Sequence, residues 1–235
     1  MTRDLFVKQM LPETVDMTPS GRVADELSPE EFASLAEQFF ADILEFSKAD
    51  ISGVEGYGEF SEENELEYAT LREFLMDDFA VEEVGYWKNW TEMFETTMLS
   101  KAFFYKYYEK MLEYAPYCEG KRYLVNNNTF FCNVIVKDNK TVGFPDWSRS
   151  GVCDFLLDFA IMDLNKPYLM IPEKFYAYCK KNGIEVEHFH ERFLCMAYYK
   201  GIGTLRWHAS IDDEESCLSI MKSISELEER IRAIK

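Results

Sequence analysis

The chain has 235 residues, of which 47% are hydrophobic and 16% aromatic, and 43 acidic against 25 basic residues give it a net charge of −18. So much apolar side chain excludes a disordered polymer and is enough for one domain core, while the charge excludes a nucleic-acid backbone binder, which must neutralise phosphates with Lys and Arg. No apolar run approaches the ~20 residues of a membrane span, and Met1-Thr2-Arg3-Asp4 does not open a signal peptide, so a cytoplasmic protein without membrane contact is expected.

Residues 1–25 are expected to be irregular, because Pro12, Pro19 and Gly21 interrupt any period. Ser28-Pro29-Glu30-Glu31 starts a helix: Ser caps, Pro takes the first position, and Glu31 stands at capping-box spacing. Phe32, Leu35, Phe39, Ile43 and Phe46 then recur at helical spacing to about Ser47. Gly53, Gly56 and Gly58 mark a loop. A second helix is expected from Glu65 to Asp77, and a long, aromatic-rich third from Val84 to Tyr114, ended by Pro116 and Gly120. Its aromatic stripe reads as packing surface rather than a cofactor box. Three short β-type runs follow: Tyr123 to Val125, Asn133 to Val136 and Thr141 to Phe144. Asp138-Asn139 is the hairpin turn between the last two. Helices return from Asp154 to Leu164, from Pro172 to Asn182-Gly183, from Glu187 to His208, and from Asp212 to Lys235.

The fold class is therefore mainly α with a small β-hairpin, an α+β domain over 26–235 preceded by the segment 1–25. The six cysteines (Cys118, Cys132, Cys153, Cys179, Cys195, Cys217) show no C-x-x-C spacing, and His188, His190 and His208 complete no zinc pattern. Reduced thiols used as small hydrophobes are expected.

The stretch from Tyr123 to Leu169 carries the most information. Leu124-Val125, Asn133-Val134-Ile135-Val136, Asp146-Trp147, and Asp154 with Asp158 and Ala160 follow one another without a gap. This order resembles the aminoglycoside-phosphotransferase and choline-kinase-like families, whose pattern is L-V-H-G-D-F-x-x-x-N-V-L-V, a hairpin, I-D-W, then G-D-x-x-x-D-L-A. The hygromycin B phosphotransferase subgroup is the most similar. Leu11-Pro12-Glu13-Thr14, Gly56-Tyr57-Gly58-Glu59-Phe60 and Lys166-Pro167-Tyr168-Leu169 resemble its flanking segments. The resemblance implies the C-terminal lobe of a protein-kinase-like fold.

Two departures follow from the same resemblance. The H-G-D positions are Asn126, Asn127 and Asn128. The family's aspartate there orients the attacking hydroxyl and takes its proton, whereas the amide of Asn128 has no basic site. The family also has about a hundred residues of mixed sheet before the point where this chain begins, a lobe that covers the nucleotide phosphates. That lobe is expected to be absent, so no ATP-binding cofactor site is expected. Asn133 and Asp146 match the family's Mg²⁺ ligands, a vestigial metal pair at most, since Mg²⁺ leans on substrate phosphates. The competing reading has Asp146 hydrogen-bonding the loop of Asn126 to Asn128. Asp154 and Asp158 are expected to cap or brace the following helix.

The expected function is that of an inactive pseudo-phosphotransferase, not an enzyme, acting as a binding module. Its acidity suits a protein partner with a basic surface, for example a nucleic-acid-binding protein inhibited by charge mimicry. Two alternatives stay open: an aminoglycoside-type phosphotransferase, or a protein that sequesters a cationic small molecule in the acidic cleft that the resemblance implies. The face left by the missing lobe must be covered. The apolar points Leu5, Phe6, Val7, Met10, Leu11, Val15 and Met17 offer a cover, with homodimerisation or partner binding as the other uses of that face.

Overall fold

A computed structural model describes residues 3–11, 16 and 18–235. Helix α1 (Arg3–Met10) precedes strand β1 (Arg22–Val23) and helix α2 (Pro29–Phe46). The expected irregular start is thus corrected at both ends. Val7 is fully buried and Phe6 meets Phe60 edge-on at 5.1 Å, so α1 is held by tertiary contact rather than by its own weak helical pattern. Pro12 to Val15 and Met17 lie outside the described residues.

Helix α2 forms as its sequence dictates. Ser28 Oγ accepts from the Glu31 amide at 3.2 Å and Glu31 Oε2 accepts from the Ser28 amide at 2.8 Å. Phe32, Leu35, Phe39, Ile43 and Phe46 are all buried along one face. After strand β2 (Gly58–Glu59) comes α3 (Leu71–Asp77), six residues shorter at its start than expected. Thr70 and Glu73 form its capping box, and Tyr68 is taken upstream by a backbone bond from Tyr57. The long helix expected from Val84 to Tyr114 is broken. Asn89 is left-handed, α4 (Met93–Thr96) is one turn, Thr97 is extended, and Ser100 caps α5 (Lys101–Cys118). Pro116 lies inside the last turn of α5 rather than ending it.

Strands β3 (Tyr123–Val125), β4 (Ile135–Lys137), β5 (Lys140–Gly143) and β6 (Gly151–Cys153) complete two antiparallel sheets, ordered β1-β4-β5 and β2-β6-β3. Asp138 and Asn139 both have positive φ, as a two-residue primed turn requires. Gly151 is obligatory where β6 meets β2, since a Cβ there would sit 2.0 Å from the Gly58 carbonyl. Gln38 holds α2 to β5 through both its amide groups and the backbone of Thr141, at 2.9 and 3.1 Å.

The helical body follows: α6 (Leu156–Asn165), α7 (Ile171–Asn182), α8 (Phe189–Ser210) and α9 (Glu214–Ala233). Gly183, at φ +64, closes α7, and Asp213 caps α9. Helix α8 is the central rod, packed on α5, α6 and α9 and buried along most of its length. Phe159 of α6 stacks on Phe175 of α7 at 3.9 Å, with Phe40 of α2 closing on both. All six cysteines are free, and Cys132 alone among them is exposed. Burial pushes the thiols of Cys118 and Cys153 well up, which keeps them protonated. Among the described residues no helix is long and apolar enough to cross a membrane.

Candidate functional site

The three consecutive asparagines lie between β3 and a 3₁₀ turn at Phe131–Asn133. The loop is shaped by one buried carboxylate. Asp158, on the first turns of α6, accepts the Asn126 amide at 3.1 Å, the Asn127 amide at 2.9 Å and the Thr129 hydroxyl at 3.2 Å. Two successive backbone donors can converge on one group because Asn127 is left-handed, at φ +57, a conformation Asn tolerates better than most residues. The expectation that Asp158 braces its own helix is therefore corrected: its carboxylate serves the loop. Asp154 does brace α6, accepting the Leu156 amide at 3.0 Å, and also takes a bidentate pair from Arg192 at 2.7 and 2.9 Å.

The structure brings Asn128, Asn133 and Asp146 together. Asn128 Nδ2 donates to Asp146 Oδ2 at 2.7 Å, and Asn133 Nδ2 donates to the Asn128 carbonyl at 3.0 Å. Asp146 sits at φ +62 on an exposed turn. Its Oδ1 accepts from the Ser148 amide and hydroxyl, and its carbonyl accepts from Asn126 Nδ2 at 3.2 Å. Both carboxylate oxygens of Asp146 are thus engaged within the protein. A hard divalent cation wants several oxygens, and this cluster turns amide donors, not acceptors, toward its single carboxylate. No group of three or more His, Cys, Asp and Glu side chains that could hold a metal occurs among the described residues. The residues present do not fit a resident Mg²⁺.

Behind the loop stands Lys200 of α8, which the motif did not reveal. Its Nζ donates to the Asn127 carbonyl at 3.2 Å and to Asn127 Oδ1 at 2.9 Å. Burial, with the nearby charge of Arg149, pushes Lys200 down to about 8. Burial pushes Asp158 up to about 6 against the hydrogen bonds that favour its anion, and Asp42 of α2 up to about 7, helped by the charge of Glu45.

These two carboxyls and Asp163 of α6, which burial likewise raises to about 6 against the pull of Arg230, make a prediction. All three titrate above the ordinary 3.8 in the folded chain, so the folded state binds more protons in between. Stability then falls as pH rises from about 4 to about 7. Carboxylates held low, such as Glu31 and Glu228, weaken the fold only as pH drops below the ordinary 4.5. A melting temperature about 5 °C higher at pH 5 than at pH 7.5 is expected. Asp42→Asn should remove the part of that slope above pH 6. A melting temperature that rises between pH 5 and 7.5 contradicts this assignment.

Lys200 opens onto a cleft of about 480 Å³ between α8, the loop after β3 and the segment 78–87. Arg149, Lys200, Arg206 and His208 line it with Phe130, Tyr199, Trp87 and Trp207, against one carboxylate, Asp78. The wall of this cleft is basic and aromatic, whereas a more open groove elsewhere is lined by the carboxylates of Glu67, Glu73 and Asp77. Arg149 is held by Glu59 through Nε at 3.0 Å and Nη2 at 2.6 Å. Sequence reading passed over Lys200 and Arg206 because two cations do not stand out among 25. The available signal was their place inside the apolar run of α8, where a charge must find a partner or a purpose.

Comparison with solved structures gives the fold. A thermostable variant of aminoglycoside phosphotransferase APH(4)-Ia, in ternary complex with AMP-PNP and hygromycin B, matches at a TM-score of 0.76 and 15% identity, over 96% of this chain and 81% of that one. The apo form of such a variant matches at 0.73 and 15% identity, over 98% and 82%. The gentamicin complex of APH(2″)-IIa matches at 0.52 and 15% identity, over 91% and 70%. No protein-family model and no curated protein sequence matches the chain.

Proposed function

We propose that this chain, which has the aminoglycoside phosphotransferase fold, binds its target without transferring phosphate. The observation that carries the reading is the Asn128–Asp146 contact. In the place where the resemblance puts a proton-accepting carboxylate stands an amide whose N–H is donated to the neighbouring carboxylate. An amide cannot take the proton of an attacking hydroxyl near neutral pH, and Asp146 is committed to Asn128 and Ser148. Loss of such a base commonly costs several powers of ten in rate, on the order of 4–6 kcal/mol.

The reading takes the described residues as the helical C-terminal lobe of that fold, with no nucleotide-covering sheet among them. Its support is that the strands among the described residues are two to four residues long, in two small sheets. The described part of 1–25, where Val7 is buried and Phe6 packs on Phe60, then serves as cover for the face such a sheet would occupy. The net charge of −18 supports a protein partner with a basic surface, steered by long-range attraction and weakened by salt.

Calorimetry with MgATP and with MgAMP-PNP is expected to show no binding that depends on Asp146 at millimolar nucleotide. Asn128→Asp is expected to restore no phosphoryl transfer, because nothing in the proposed chain positions the phosphates. Nucleotide binding that disappears in Asp146→Ala, or transfer gained by Asn128→Asp, would overturn the reading.

A further inference from the structure

We propose that the cleft beside Lys200 is a binding site for a small organic anion: a flat ring bearing one carboxylate or phosphate. The inference rests on the reading that the chain binds without transferring phosphate, and it names the class of ligand for this site.

Arg206 carries the argument. It is 2% exposed, yet its Nε and Nη1 are buried with no hydrogen-bond acceptor among the described residues. Its one ion-pair partner among the described residues is Asp78, at the long distance of 3.7 Å from Nη2. Burial pushes its pKa down, and Asp78 only partly opposes this. A guanidinium so placed is costly to the fold, and an acceptor from the cleft reaches its buried N–H groups once the covering Trp87 ring shifts. The guanidinium lies over the Trp87 ring at 4.0 Å, with Phe79 and Trp90 at 5.0 and 5.1 Å. Trp87 belongs to an exposed segment tied to α8 through Tyr86 and Ser210.

Lys200, on the same cleft wall, spends two of its three N–H donors on the neutral groups of Asn127 and keeps one. The counter-charges near this wall, Glu59 on Arg149 and Asp158 behind Asn127, do not line the cleft. Lys200 and Arg206 therefore provide the oxyanion seat, and Trp87, Trp207, Tyr199 and Phe130 provide the faces for a ring. The lining disfavours a polycation, which would meet Arg206, Lys200 and the Glu59-paired Arg149 against one lining carboxylate, Asp78.

Tryptophan fluorescence and calorimetry on the full chain test this with four probes: naphthoate, naphthyl phosphate, neutral naphthamide and cationic naphthylmethylamine. At least one anion is expected to bind about tenfold or more tightly than naphthamide, and the two anions distinguish a carboxylate from a phosphate seat. Binding should weaken as salt rises to about 0.5 M. Arg206→Met keeps the apolar stem and should lose the preference for anions while its own melting temperature stays within a few degrees. Should that variant fail to fold, Lys200→Met and the wild-type selectivity decide. Equal affinity for naphthoate, naphthyl phosphate and naphthamide, tighter binding of the amine, or no binding of any anion at millimolar concentration overturns the inference. Those results leave the proposed absence of phosphoryl transfer standing, whereas transfer to an added substrate would overturn that reading and not the selectivity.

Discussion

Asp154→Ala is expected to lower the melting temperature by about 10 °C. The Asp154 and Arg192 side chains are 0% and 3% exposed, and the guanidinium gives both Nε and Nη2 to the carboxylate. Its Nη1 reaches the Glu187 carbonyl at 3.0 Å, and its plane lies 5.4 Å from the centre of the Phe155 ring. Removing the carboxylate strands a buried charge, which costs roughly 3–5 kcal/mol. The pair ties the start of α6 to the first turn of α8, so the loss falls where the two central helices meet. Removing both charges in Asp154→Ala/Arg192→Met should recover much of the stability, because an ion pair taken out of water repays its desolvation poorly. A double variant less stable than the single one would mean that the pair is itself a net stabiliser, contrary to this account. Differential scanning calorimetry of the three proteins decides the matter.

Asp158→Ala is expected to cost roughly 2–6 kcal/mol by leaving two buried amides without their acceptor, while the Thr129 hydroxyl keeps the Asp158 carbonyl at 2.9 Å. Asn126, Asn127 and Thr129 are all buried, so water does not replace the carboxylate cheaply. Asp146→Ala should change stability by less than about 1 kcal/mol, because Asp146 is exposed and its bonds are to exposed or half-buried groups. The comparison separates two carboxylates that the sequence presents as similar. Urea unfolding of both variants checks it, with hydrogen exchange at Asn126 and Asn127 as the local readout. Comparable destabilisation by the two substitutions would mean that Asp146, not Asp158, sets the loop.

What could be read from the sequence follows a physical divide. Elements that announce their own ends were legible: Ser28 and Glu31 for α2, Gly183 for α7, Asp213 for α9, and Asp138-Asn139 for the hairpin. Their signals are local hydrogen bonds and local dihedral preferences. The segment 84–114 was misread because its aromatic spacing suits one helix, while the break is imposed from outside. The Trp90 indole is drawn to the Ala80 carbonyl at 3.0 Å, and Ser100 caps a fresh start. Strands β1, β2 and β6 were missed because each is two or three residues long and exists only through its partner. The asparagine loop with Asn133 and Asp146 could be located through the motif it departs from. The basic cleft could not, because Arg149, Lys200 and Arg206 are far apart along the chain or masked by an overall charge of −18. A net charge describes long-range steering, and it does not describe the wall of one cleft.

The central claim is that this fold no longer moves phosphate, and mass spectrometry of an acceptor tests it most directly. Hygromycin B or gentamicin would be incubated with the purified chain, Mg²⁺, and ATP or GTP. The account predicts an acceptor of unchanged mass after prolonged incubation at high protein concentration. An acceptor gaining the mass of one phosphoryl group, with the gain abolished by Asp146→Ala, would contradict it.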